Sequence, residues 1–250
     1  MSSRLQLIGF DADDTLWHNE RSYRDARTRF FRLLAEHGVQ LDATEIDAHV
    51  NRIEIANIQY YGYGVSSFAM SLLEAAMDLT EGKISGRELR PVLTLAKEML
   101  SENVELFSGV GSVVTRLAAQ YPLMLITKGQ LLHQTSKLDR SGLRERFRFV
   151  EVVSHKTPDV YAEILGRHGV DPARFLMVGN SLRSDILPVL EIGGWAAHIP
   201  ADLSWAHEDA DLPEGPMARH FDLTSIEGLP DVVATIEQAI ADAPAPRRSP

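Results

Sequence analysis

From Gly109 onward short apolar runs alternate with stretches of helical periodicity, and this alternation limits the possible folds more than any other feature of the chain. Residues 123–126, 147–153, 175–178 and 195–199 read as strands, and 221–223 as a short last one. Residues 110–120, 130–140, 158–168, 183–192 and 226–241 read as the helices between and after them, with Pro158 just inside its helix start. Strands separated by helices predict a parallel sheet with helices on both faces, because a parallel pair needs a long crossover. The N-terminal run 5–10 supplies one more buried strand.

Between that strand and the alternating region no convincing strand occurs. Residues 23–37, ending at Gly38, read as a helix. So do 42–58, with Ile46, Val50, Ile53 and Ile55 as its apolar contacts, and 66–79. Ser85 and Glu88 have the spacing of a capping box that opens a fourth helix, running to about residue 100. Tyr60-Tyr61-Gly62-Tyr63-Gly64 interrupts the pattern. The expected organisation is an α/β core made of 1–19 and 101–242, a four-helix insertion over 20–100, and a Pro-rich, disordered tail over 243–250.

Bulk properties narrow the function. A formal charge of −10 argues against a sequence-independent nucleic-acid binder. The absence of cysteine removes thiolate catalysis, disulfides and Cys-ligated metals. No apolar stretch reaches the ~18 residues of a spanning helix, and no secretory pattern is seen, so a cytoplasmic protein without membrane contact is expected.

The chemistry begins where the first strand ends, at Asp11-Ala12-Asp13-Asp14-Thr15-Leu16. Carboxylates at the end of a buried strand repel one another and lose solvation, so they call for a compensating cation. In an extended segment Asp11 and Asp13 point the same way, as a hard-metal site or a nucleophile would require. Three further polar groups follow predicted strands: Thr127-Lys128-Gly129, Lys156, and Gly179-Asn180-Ser181 leading to Asp185. Each alone has an ordinary reading as a helix cap, a surface charge or a turn. At one sheet edge they supply carboxylates for a metal, a cation for a phosphate, and a hydroxyl and amides for its oxygens.

These residues, in this order and spacing, resemble the four motifs of the haloacid dehalogenase superfamily over roughly residues 5–200. Asp11-x-Asp13-x-Thr15 is similar to the first motif, Thr127 to the second, Lys156 to the third, and Gly179-Asn180-Ser181 with Asp185 to the fourth. The resemblance implies a Rossmann-like α/β core with a C1-type helical cap, and a phosphatase acting on a small phosphorylated metabolite. Asp11 would be the nucleophile that forms an aspartyl-phosphate, and Asp13 the general acid and base. Thr127, Lys128 and Lys156 would bind phosphate. Mg²⁺ would be held by Asp11, the Asp13 backbone carbonyl, and Asn180 or Asp185.

The departures from the family pattern bear on that reading. Asn180 stands where many relatives carry Asp, and it brings an oxygen but no charge. Lys128 stands where Asn is common, and adds charge over the substrate or lies at the rim. Thr157 separates Lys156 from Pro158. Asp14 is expected to fix the turn. Trp17, His18 and Asn19 fall in the flap between core and cap, and Tyr60, Tyr61 and Tyr63 either line a pocket or pack between cap helices. His207 and His220 are assigned no chemistry. A phosphomutase and a non-catalytic binding member are the alternative readings, and either a monomer or a homodimer is compatible. Dehalogenation is disfavoured, because a halide needs no acid at Asp13 to leave.

Overall fold

The computed structural model describes residues 4–203, 205 and 218–242. The expected disordered tail at 243–250 and His207 lie outside them. Six strands form one sheet: β1 (Leu7–Phe10), β2 (Leu123–Lys128), β3 (Phe149–Val153), β4 (Phe175–Gly179), β5 (Trp195–His198) and β6 (His220–Asp222), in the order β3-β2-β1-β4-β5-β6. β1 pairs in parallel with β2 and β4, as does β4 with β5 and β5 with β6. This is the doubly wound order, and its direction reverses at β1, between β2 and β4. Phe10 lies opposite Leu125 on one side and Val178 on the other. The segments after β1, β2 and β4 therefore emerge together at the carboxyl edge, where open α/β sheets bind ligands.

β1, β4 and most of β2 are buried, as expected of central parallel strands with both faces covered. On one face Leu7, Met124, Ile126, Phe175 and Met177 pack with Tyr161, Ile164 and Leu165 of a helix at Pro158–Arg167. That helix has Pro158 in its first turn, and the Thr157 side chain accepts from Val160 N as its cap.

Four helices carry residues 20–101: α1 (Glu20–Glu36), α2 (Ala43–Tyr61), α3 (Val65–Leu79) and α4 (Arg90–Ser101). Phe30, Leu34, Val50, Phe68, Leu72 and Val92 centre their shared apolar core. Ile55 faces outward instead, at 45% exposure. The Asp42–Glu45 capping box opens α2. The Ser85–Glu88 box also forms, yet α4 begins only at Arg90. Pro91 has no amide to donate to the Arg87 carbonyl, so residues 86–89 stay a turn. Tyr60 and Tyr61 belong to the last turn of α2 rather than to the break, and are 72% and 49% exposed, so they do not pack between helices.

The described residues divide into two compact units, one drawn from 1–18, 105–127 and 141–250, the other of 19–104 and 128–140. The second unit takes in α5 (Val110–Ala118)'s successor in the chain, α6 (Leu131–Arg140), which the sequence places in the α/β core. Polar contacts explain this grouping: Lys137 Nζ is 2.9 Å from Asn19 Oδ1, Ser66 donates to Gln130, and Arg140 reaches the Leu100 and Glu102 carbonyls.

Candidate active site

Asp11 follows β1 and is 7% exposed; its amide donates to the Val178 carbonyl of β4 at 2.9 Å. Lys156 places its ammonium 2.5 Å from Asp11 Oδ1 and 2.6 Å from Asp185 Oδ1. One buried cation is thus shared by two buried carboxylates. Burial pushes the Asp11 carboxyl up to about 7; Lys156 pulls it down, and the Asp185 and Asp13 charges raise it. Burial alone would lower Lys156, but the two carboxylates outweigh it and hold the ammonium above its ordinary value. When Asp11 is ionised, the two carboxylates outnumber the one lysine cation between them.

Asp185 is held from several sides. Its Oδ2 accepts from Ser181 N at 3.1 Å, and its own amide donates to the Ser181 carbonyl at 2.8 Å. Ser181 Oγ accepts from Ser184 N at 3.0 Å, and Tyr161 donates its hydroxyl to the Ser184 carbonyl at 3.0 Å. Leu182–Ile186 is a π-helical turn, not the opening of an α-helix at 183; the α-helix begins at Leu187, with Pro188 in its first turn. The wide turn aims Asp185 back at the strand end. Gly179 makes room for it, since a Cβ there would collide with the Asp185 carboxylate.

Thr15 supplies a link that the sequence reading did not assign. Its hydroxyl lies 2.9 Å from Asp11 Oδ2 and 3.1 Å from Asn180 Oδ1, joining the loops after β1 and β4. The only sequence signal was its place in the first motif.

The Asp13 carboxylate accepts from Trp17 Nε1 through its Oδ1 at 2.6 Å. Among the described residues Asp11, Asp13 and Asp185 do not form a three-carboxylate cluster. A backbone bridge joins Asp13 to Trp17, and Asp14 N donates to the Trp17 carbonyl at 2.8 Å. Asp14 takes a left-handed φ of 60°, which Asp tolerates better than most residues, in keeping with a turn role. His18 packs against Phe107 with ring centroids 3.9 Å apart and planes tilted by 55°, and donates its amide to the Glu105 carbonyl.

Thr127, near the end of β2, is 1% exposed. Lys128 ends that strand with its ammonium 4.5 Å from the Tyr63 ring centroid, a cation–π distance. Of the predicted residues, the structure brings Asp11, Lys156, Asp185 and Asn180 into one connected network. It engages Asp13 with Trp17 and Lys128 with Tyr63.

The donor set suits a hard divalent cation. Asp11 and Asp185 offer carboxylate oxygens and Asn180 an amide oxygen, and the excess of ionised carboxylate over the one lysine is what such an ion would neutralise.

A doubly wound sheet with a buried Asp–Lys–Asp network at its reversal point defines a Rossmann-like enzyme with a carboxylate-centred site. The chain belongs to the haloacid dehalogenase-like hydrolases, whose family model matches residues 5–193. A crystal structure of a haloacid dehalogenase-like family hydrolase from Xanthomonas campestris is similar over 95% of this chain and 94% of its own, with 37% identity and a TM-score of 0.83. Human N-acylneuraminate-9-phosphatase is 23% identical, covering 94% of this chain and 96% of its own length. Glyceraldehyde 3-phosphate phosphatase of Methanothermobacter thermautotrophicus is 26% identical, covering 82% and 90%. No helix among the described residues is long and apolar enough to cross a membrane.

Proposed function

We propose that this hydrolase is a phosphatase that releases phosphate from a small phosphorylated metabolite. The observation that carries the reading is the pairing of Asp11 with Lys156 at the carboxyl edge of β1, a nucleophile candidate beside a fixed cation. In this reading Asp11 attacks phosphorus with one carboxylate oxygen, and the bond from phosphorus to the substrate's ester oxygen breaks. Asp13 gives that departing oxygen a proton, which the Trp17 hydrogen bond orients it to do. Asp13 then takes a proton from water as the water attacks the aspartyl-phosphate, releasing phosphate and restoring Asp11.

Lys156 and Thr127 would hold phosphate oxygens, with the amides of Ala12 and Lys128 adding donors. Lys128 itself would add charge near the substrate. Mg²⁺, held by Asp11, the Asp13 carbonyl, Asn180 and Asp185, would screen the nucleophile from an incoming phosphate dianion. The four helices of residues 20–100 would serve as the cap that selects the substrate. Asp13 favours phosphate-ester hydrolysis over dehalogenation, because an alkoxide needs a proton to leave and a halide does not.

The names of the similar phosphatases suggest where to begin. A phosphate-release screen over N-acylneuraminate 9-phosphate, glyceraldehyde 3-phosphate and a panel of sugar and nucleoside monophosphates, with Mg²⁺ or with chelator, tests the proposal. Release that requires Mg²⁺ and disappears in Asp11→Asn supports it. Full release by Asp11→Asn, or none from any substrate, overturns it.

A further inference from the structure

We propose a second cation site, distinct from the Asp11–Lys156–Asp185 carboxylate cluster, in which His198, His220 and Asp222 bind one transition metal ion of the Zn²⁺ class. The parallel pairing of β5 and β6 builds it. His198 lies opposite Asp222, and His220 precedes Asp222 by two residues, so all three side chains share one face of the sheet. One ligand atom from each lies within 4.8 Å of the others. His198 Nδ1 is 3.1 Å and His220 Nε2 is 3.5 Å from Asp222 Oδ1.

Two further observations point to a ligand. The His220 side chain is 7% exposed, and its Nε2 is buried without a hydrogen-bond partner. A buried ring nitrogen left this way gains no hydrogen bond for the hydration it loses, only the 3.5 Å approach to Asp222 Oδ1. The second observation is His198, whose Nε2 lies 3.1 Å from the Asn180 carbonyl, an acceptor that requires N–H there. In the neutral ring Nδ1 then presents a lone pair to the Asp222 carboxylate, a contact made favourable by a metal ion between them or by a proton on Nδ1. Metal-ligating histidines commonly donate their other N–H to a backbone carbonyl in just this way.

Two imidazoles and one carboxylate select Zn²⁺, Co²⁺ or Ni²⁺ over Mg²⁺. The Asp222 side chain is 66% exposed, which leaves the ion's remaining positions open to water.

The test is Co²⁺ titration of the full chain in excess Mg²⁺, followed by visible absorption, with Zn²⁺ stoichiometry from equilibrium dialysis. About one ion per chain is expected. Asp222→Asn, at an exposed side chain, should weaken binding at least about tenfold, and His220→Asn likewise. Asp11→Asn should bind as the wild type does. The thermal midpoint of metal-free Asp222→Asn checks the fold, and a Zn²⁺-induced rise in the midpoint of Asp11→Asn gives a second measure that does not need the other variants to fold. The proposal is overturned if Mg²⁺-loaded wild type takes up no Co²⁺, if Asp222→Asn keeps wild-type affinity, or if binding is lost in Asp11→Asn. A plain histidine–carboxylate ion pair would give the first result.

Discussion

The Lys156 ammonium lies 2.5 Å from Asp11 Oδ1 with the lysine side chain 1% and the aspartate side chain 10% exposed. The same nitrogen serves Asp185, so removing it leaves two buried carboxylates facing each other. Lys156→Met should destabilise the fold by about 3–5 kcal/mol, the usual result of leaving a buried charge unpaired. It should also lower phosphatase kcat/KM by about 10²–10³-fold through the loss of a cation at the developing phosphate charge. Urea unfolding and steady-state kinetics measure the two effects. A variant with wild-type kinetics would remove Lys156 from the chemistry.

Asp11→Asn is expected to lose activity and gain stability. The folded-state carboxyl, raised to about 7 chiefly by burial, stands above its ordinary value of 3.8. Between those values the folded chain holds a proton that the unfolded chain has released. Wild-type stability therefore falls as pH rises through this window, and the loss is complete above it. Asparagine removes the ionisation and leaves Lys156 paired one-to-one with Asp185. The gain should reach about 1–2 kcal/mol at pH 8 and be smaller at pH 5. Equal gains at both pH values in urea unfolding would show that charge crowding is not its source.

Much of this site is legible in the sequence, because its residues sit at the ends of apolar runs and a parallel sheet brings such ends together. Asp11, Lys156 and Asp185 meet for that reason. What escapes the sequence is set by contacts distant along the chain. The π-turn at Leu182–Ile186 depends on Asp185 folding back beneath Gly179 toward Lys156, which no local periodicity encodes. The role of Thr15 depends on Asn180, 165 residues away. His220 gains its neighbours only through the β5–β6 register. The late start of α4 was open to sequence reasoning, since Pro91 is visible there.

The hydrogen bond from Trp17 Nε1 to Asp13 Oδ1, at 2.6 Å, predicts a leaving-group signature. Asp13→Asn should slow hydrolysis of an alkyl phosphate by about 10²–10⁴-fold, the usual contribution of a general acid. An aryl phosphate, whose oxygen leaves readily without a proton, should suffer much less in the first chemical step. Trp17→Phe keeps most of the ring's bulk and removes only the donor, so it should reduce kcat about tenfold with little change in KM. Comparing the two variants on both substrates by pre-steady-state release of the alcohol or phenol checks this. Equal losses on alkyl and aryl substrates would argue against Asp13 as the acid.

Gly179 lets the Asp185 carboxylate pass directly over the β4 backbone, so Gly179→Ala should displace Asp185 without altering any proposed ligand. The added methyl cannot be accommodated while Asp185 keeps its bonds to Lys156 and to Ser181 N. Mg²⁺ affinity should fall about 10–100-fold, as when a group supporting a metal ligand is lost. Asn180→Asp makes the opposite change: it adds a carboxylate beside the Thr15 hydroxyl, in a cluster where two carboxylates already share one lysine cation. Without Mg²⁺ this variant should be less stable than wild type, because the new charge is unpaired. With saturating Mg²⁺ the difference should shrink or reverse, since the added carboxylate then faces a divalent ion. Calorimetric Mg²⁺ titrations and thermal midpoints with and without Mg²⁺ measure both variants. If Asn180→Asp responds to Mg²⁺ no more than wild type does, Asn180 is not a ligand and Asp185 is left to supply the fourth-motif contact.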